Sequence, residues 1–164
     1  MTRVAAIDCG TNSIRLLVAD GHIGEDGRPH LSDLTRQMRI VRLGQGVDAR
    51  GYLDPAAIER TVEATVEYQR MIEALGATST RFVATSATRD ASNSADFVRQ
   101  IKAVIGVEPE VVVGTEEASL SFNGAVSGLG ESVTAPMLVV DIGGGSTELV
   151  AGSTRVEQAI SIDM

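Results

Sequence analysis

The chain carries one cysteine, one lysine and no apolar run long enough to cross a membrane as a helix. Cys9 alone excludes an internal disulfide framework and fits a reducing compartment. The apolar strand around it makes it a small packing residue. Lys102 lies far from both glycine-rich turns, which excludes a Walker-type phosphate loop, because that loop ends in Gly-Lys-Ser/Thr where a helix opens. A membrane helix needs about eighteen continuous apolar residues, and the N-terminus reads as a strand without basic and apolar targeting segments. The expectation is a soluble, cytoplasmic protein with no membrane partner. Positive charge is also scarce: the net charge of −8 argues against nucleic acid as a partner. A polyanionic ligand is not excluded, since the potential in a cleft can oppose the global charge. All but one of the 14 basic residues are arginine, the side chain suited to bidentate phosphate contact.

What is present is a strand, an aspartate and a glycine turn, written twice. Val4 to Ser13 contains Asp8-Cys9-Gly10-Thr11-Asn12-Ser13, and Leu138 to Glu148 contains Asp141-Ile142-Gly143-Gly144-Gly145-Ser146-Thr147-Glu148. Glycines let backbone N–H groups approach an anion without Cβ interference, and successive N–H groups form an anion-binding concavity. Thr11, Asn12, Ser13, Ser146 and Thr147 add short donors. A carboxylate among such donors repels phosphate unless a divalent cation lies between, so Asp8 and Asp141 imply magnesium. After each turn the chain resumes as strand, which makes both turns hairpin tips and excludes a dinucleotide fold, whose glycines open a helix. Two such tips can face one another across a cleft and hold a phosphate chain.

Periodicity supplies the organisation. Strands are expected at about 3–9, 13–21 and 30–43, with a polar turn at 24–29. A helix capped by Asp54, with Pro55 in its first position, runs to Leu75 and stops at Gly76. Its buried stripe is read as Ile58, Val62, Val66, Ile72 and Leu75, and its solvated face as Glu59, Glu63, Glu67, Arg70 and Glu73. A strand at 80–85, a polar run to Asp90, a helix at 94–105, a strand at 109–113 and a helix at 115–128 follow. That order describes an α/β, ribonuclease H-like lobe with a mixed five-stranded sheet and helices over residues 1–129. Residues 130–136 then connect to the truncated start of a second similar lobe, 130–164, with strand runs at 147–151 and 155–163. Three strands cannot cover both faces of a sheet, so bare strands are expected, hidden by self-association or by packing on the first lobe. Thr115-Glu116-Glu117 reads as a threonine cap with acidic residues in the first turn, which stabilises any helix by up to about 1 kcal/mol. His22 and His30 have no metal-ligand partners at useful spacing and read as surface residues.

At Ala5 to Leu17, Arg42 to Gly46, Ala84 to Asn93, Gly114 to Ala118 and Val139 to Val150 the chain resembles the exopolyphosphatase and guanosine pentaphosphate phosphohydrolase (Ppx/GppA) family. That family is a branch of the actin, sugar-kinase and chaperone ATPase superfamily. The resemblance implies roles residue by residue. Glu117 matches a glutamate thought to activate the attacking water. Asp141 and Glu148 match positions that look like magnesium ligands, direct or water-mediated, with Asp8 linked through water. Gly143, Gly144, Gly145 and Ser146 look like donors to the terminal phosphate, with Thr11, Asn12 and Ser13 opposite. Arg89 and Asn93 match a phosphate-contacting segment, and Arg15 a position associated with guanosine-phosphate contact.

The resulting expectation is metal-assisted hydrolysis of terminal phosphoanhydride bonds of inorganic polyphosphate, releasing orthophosphate, with Mg2+ or a similar cation as cofactor and a homodimer as the assembly. Guanosine pentaphosphate is the rival substrate. An actin-like or sugar-kinase ATPase and a non-catalytic polyphosphate-binding regulator are the alternatives from other classes. The adenosine pocket of an ATPase would need later parts of the second lobe, and binding alone would need neither a base nor metal carboxylates. A chain of this length is expected to bind phosphate weakly and to turn over slowly or not at all.

Overall fold

A computed structural model describes residues 2–25, 27, 29–127, 129 and 134–163. Two expected connections, 24–29 and 130–136, fall partly outside these residues. The chain divides into two compact units, Met1–Val111 and Val112–Met164.

Unit 1 begins with the meander. Strands β1 (Thr2–Cys9), β2 (Ser13–Ile23) and β3 (Pro29–Ile40) pair antiparallel, and β4 (Ser79–Ala84) then adds to β1 in parallel. With β5 (Glu110–Val111) at one edge, the sheet order is β3-β2-β1-β4-β5, mixed and five-stranded as the sequence implies. Every second residue of β1 and β2 faces the helices: Ala5, Ile7 and Cys9 pack with Ile14, Leu16 and Val18 in one core. Alternation of this kind fits a sheet with one covered face. The cover is α2 (Pro55–Leu75) and α4 (Ser94–Ile105), which bring Tyr68, Ile72, Phe97, Ile101 and Ile105 into that core.

Local chemistry explains the ends of α2. The Asp54 side chain accepts from Ala56 N, Pro55 sits in the first turn, and Gly76 closes the helix at φ 70°. Of its expected stripe, Ile58 and Ile72 are buried and Val62 and Leu75 pack at the margin of the core, while Ala57, Thr61, Ala64, Thr65 and Tyr68 are buried beside them. Two threonines can be buried because each donates its hydroxyl four residues back, to Ala57 O and Thr61 O, both at 2.8 Å. Tyr68 is spent similarly, donating to Ile14 O at 3.0 Å.

Four differences from the sequence reading concern strand ends and short elements. β3 stops at Ile40 rather than 43, because Val41 N and Arg42 N both donate to Asn12 O and leave the ladder. The polar run after β4 is a one-turn helix, α3 (Ser86–Arg89), and another, α1 (Val47–Arg50), precedes α2. β5 (Glu110–Val111) has two residues instead of five and pairs only with Val83 and Ala84.

Unit 2 is α5 (Gly114–Ser127) on an antiparallel sheet of β6 (Met137–Ile142), β7 (Ser146–Gly152) and β8 (Val156–Asp163). Compactness thus divides the chain before α5, whereas the sequence reading places that helix in the first lobe, ending at 129. Ala118 and Phe122, four residues apart on α5, pack with Val150, and Met137, Val139 and Val156 close around them. On the other face of this sheet Leu138 is 65 % exposed and Ile142 74 %. Among the described residues no helix is long and apolar enough to cross a membrane.

Candidate active site

The two glycine turns are built alike. Gly10 N donates to Ser13 O at 2.9 Å, and Gly143 N donates to Ser146 O at 2.9 Å. In each, the aspartate lies two residues before that glycine and is cross-strand to the second residue after the serine. Asp8 therefore pairs with Arg15, and Asp141 with Glu148. The glycines of these turns are not among the described glycines at positive φ. A left-handed backbone is not what demands them. At Gly143 close approach does, since a Cβ there would lie 2.8 Å from Ser146 O. Gly143 and Gly144 are exposed at the tip, open to a ligand.

The first turn is braced from behind. Gly44 N donates to Thr11 O, and the Thr11 and Ser86 hydroxyls share a hydrogen bond of 2.9 Å. A side chain at position 44 would collide with Thr11, so the glycine lets this segment pack against the turn. Asn12 is exposed, while Thr11 and Ser13 are half-buried. The cross-strand partner of Asp8 matters for charge: Arg15 Nη1 lies 3.3 Å from Asp8 Oδ2, so this carboxylate already faces a cation. Arg89 ends α3, with its guanidinium 3.5 Å from Asp90. Asn93, the other residue matched to that phosphate-contacting segment, is engaged within unit 1. Its amide accepts from Leu53 N at 2.8 Å and donates to Leu53 O at 3.0 Å, clamping the loop before α2. Buried backbone groups must find partners, and here the side chain provides both.

In unit 2 the carboxylate at the corresponding place faces another carboxylate. Asp141 and Glu148 lie directly opposite on β6 and β7, on the face under α5, and Glu148 is only 1 % exposed. Like charges in that relation repel. Two hydroxyls meet them: Ser121 of α5 donates to Asp141 Oδ2 at 2.6 Å, and Ser161 of β8 donates to Glu148 Oε1 at 2.9 Å. Neither is a cation, and a buried charge is ordinarily paired or bound to metal. Two hard oxygen donors side by side suit magnesium. Among the described residues no group of three or more such ligands converges, so further coordination would come from water or phosphate oxygens.

Glu117 stands one turn before Ser121 on α5 and so shares the helix side that touches Asp141. The helix begins at Gly114, with Val113 O accepting from Glu116 N and Glu117 N. Thr115 is therefore inside the first turn rather than at its cap. The start of α5 also lies over β8, since a Cβ on Gly114 would sit 3.0 Å from Ser161 Oγ. Glu117, Ser121, Asp141, Glu148 and Ser161 thus belong to one end of unit 2, whereas Thr11, Asn12, Ser13, Arg15 and Arg89 belong to unit 1. Ser121 and Ser161 escape sequence reasoning, because each is a lone serine whose partner is set by packing.

One pairing outside this site was also not legible. His22 and His30 are cross-strand partners near the β2–β3 turn, with ring centroids 5.6 Å apart. Both are exposed, as expected, but a register shift between Val18 and Ala19 decides that they meet.

A mixed five-stranded sheet followed by a second strand–Asp–glycine hairpin defines a protein of the actin-like ATPase fold, ribonuclease H-like in its first unit. Residues 22–164 match the Ppx/GppA phosphatase family, and the chain belongs to that family. It is 51 % identical over 169 residues to exopolyphosphatase 2 of Mycobacterium tuberculosis, covering 100 % of this chain and 52 % of the relative. Among solved structures it is similar to an exopolyphosphatase-like protein, with a TM-score of 0.92 and 45 % identity over 99 % of this chain and 51 % of the other. The Ppx/GppA protein of Aquifex aeolicus superposes with a TM-score of 0.81 at 34 % identity, over 99 % of this chain and 51 % of that one. The chain spans about half the length of these relatives.

Proposed function

We propose that this chain supplies the metal-binding and base-bearing part of an exopolyphosphatase. The reaction is hydrolysis of the terminal phosphoanhydride bond of inorganic polyphosphate, releasing orthophosphate. The observation that carries the reading is the opposed pair of half-buried Asp141 and buried Glu148, met among the described residues by hydroxyls alone, on the sheet face under α5, whose first turn bears Glu117. Phosphoryl transfer needs charge neutralisation, positioning and an oriented nucleophile. Asp141 and Glu148 would hold Mg2+, which when bound neutralises charge developing on the phosphoryl oxygens. Ser121 and Ser161 orient those carboxylates. In unit 2 the backbone N–H groups of Gly143 to Ser146 take phosphate oxygens and Glu117 takes the proton of the attacking water; in unit 1 Thr11, Asn12 and Ser13 offer phosphate donors of their own. Asp8, already facing Arg15, contributes less to metal binding than Asp141. Arg89 is a phosphate contact from α3, and Asn93 supports it by fixing the segment between α3 and α4.

Polyphosphate is preferred over guanosine pentaphosphate because Arg15, the position associated with the nucleotide, is engaged by Asp8. The relative's name, exopolyphosphatase 2, supports the same substrate class. The test is orthophosphate release from polyphosphate and from the nucleotide, measured side by side on a chain extended to the relatives' length. Glu117→Gln should lower kcat on polyphosphate by about two to four orders of magnitude with KM little changed, the usual contribution of general-base assistance. A drop smaller than about tenfold would leave Glu117 as a helix-terminus residue and remove the base from this reading.

A further inference from the structure

Pairing with a carboxylate is the rule for arginine in this chain. Among the described residues, eight arginines lie within ion-pair distance of an Asp or Glu. Arg42 and Arg60 have no such partner among the described residues, and they line one pocket of about 500 Å3, together with Ile40, Val41 and Gln45. No carboxylate lines it among the described residues. In a chain of net charge −8, two guanidinium groups left unneutralised on the same concavity create a local positive potential against the global one.

The pocket is held in shape by specific bonds. Arg60, on α2, donates its Nε to Val41 O at 3.1 Å, tying the helix to the chain just past β3. Among the described residues Arg42 is the one non-glycine residue at positive φ, 50°, a conformation that L side chains rarely adopt. Its N–H donates to Asn12 O and its carbonyl accepts from Gln45 N, so both neighbours enforce that backbone. Strain of this kind persists where the surroundings over-determine it. The chain leaves the β3 ladder at this point, and Arg42 and Arg60 line the same pocket.

We propose that the Arg42–Arg60 pocket is an anion site for a linear oligophosphate, distinct from the two glycine turns. Planar guanidinium forks bind phosphate oxygens in pairs, and two forks from different elements suit an anion carrying more than one phosphate group. The volume is far larger than a single phosphate needs and lies in the range of small-ligand sites. The wall formed by Val41 and Arg42 hangs on Asn12 O, so the site adjoins the back of the first turn. The assignment concerns binding, which would occur without turnover, and it does not rest on the hydrolase reading.

The test is a titration of the 15N-labelled chain with inorganic tripolyphosphate in magnesium-free buffer. The Arg60 Nε–H and the Val41, Arg42 and Gln45 amides should move together on one saturating isotherm. Arg42→Asn, whose side chain tolerates the left-handed backbone, combined with Arg60→Gln should weaken that isotherm at least tenfold. Arg70→Gln, an exposed arginine of α2 outside the pocket, should leave it unchanged. Thermal unfolding of each variant identifies any that fails to fold, and Arg60→Gln alone then carries the comparison. The proposal is overturned if the double variant binds tripolyphosphate as the parent does, if only residues 10–13 and 143–147 respond, or if citrate binds equally well.

Discussion

Replacing Glu148 by glutamine should change stability in opposite directions with and without magnesium. Directly opposed residues on antiparallel strands have Cβ atoms about 5 Å apart. Over roughly 5–10 Å between the two carboxylate charges, and at an effective dielectric constant of about 20, two unit negative charges repel by about 2–3 kcal/mol. Asp141 is half-buried, so solvent screens part of this, and the Ser161 hydroxyl loses about 1 kcal/mol when its acceptor becomes neutral. In metal-free buffer Glu148→Gln should therefore stabilise unit 2 by about 1–2 kcal/mol on these magnitudes. With magnesium the order should reverse, because a ligand that binds only the folded state stabilises the parent by RT ln(1 + [L]/Kd) and the variant far less. Hydrogen exchange at β6 and β7 amides reads unit 2 separately from unit 1. The reasoning is refuted if the variant is less stable than the parent without metal and magnesium raises both equally.

Asn93→Ala should destabilise unit 1 by about 1–3 kcal/mol in urea unfolding, because Leu53 N and O both lose their partner. A near-zero change would return Asn93 to the role of a free phosphate contact. Hydrogen bonds from Arg3 hold the Asp20 carboxyl below the usual carboxylate range. A carboxyl with a depressed folded-state value stabilises above its unfolded value, about 3.9, and loses that contribution as pH falls through the folded one. Asp20→Asn should accordingly flatten the acid limb of the stability profile below about pH 4 while leaving its shape near neutrality unchanged. Burial in the core pushes the Cys9 thiol up, so a disulfide reagent should label it only at the rate of opening of β1 and β2. Fast, stoichiometric labelling of the native chain would contradict its placement.

The order of elements was readable because each signal is local. Asp54-Pro55 and Gly76 bound α2 through chemistry that acts within one turn, and alternating apolar residues set which face of β1 and β2 is covered. The two strand–aspartate–glycine turns were legible for the same reason, and their shared hydrogen bond follows from the same spacing. What local signals could not carry is partner choice. Which residue of α2 faces the sheet was decided by packing: Thr61 and Thr65 could be buried once their hydroxyls bonded within the helix, a possibility that hydrophobicity alone does not score. Asn93 and Ser121 found their partners 40 and 20 residues away, respectively. Arg42 and Arg60 were brought to one pocket only when Asn12 O drew the end of β3 aside. The sequence by itself determined the strands, the long helices and the identity of both turns. Only the tertiary structure decided that Asp8 faces a cation while Asp141 faces Glu148, because the residue across the ladder sets the charge each carboxylate meets.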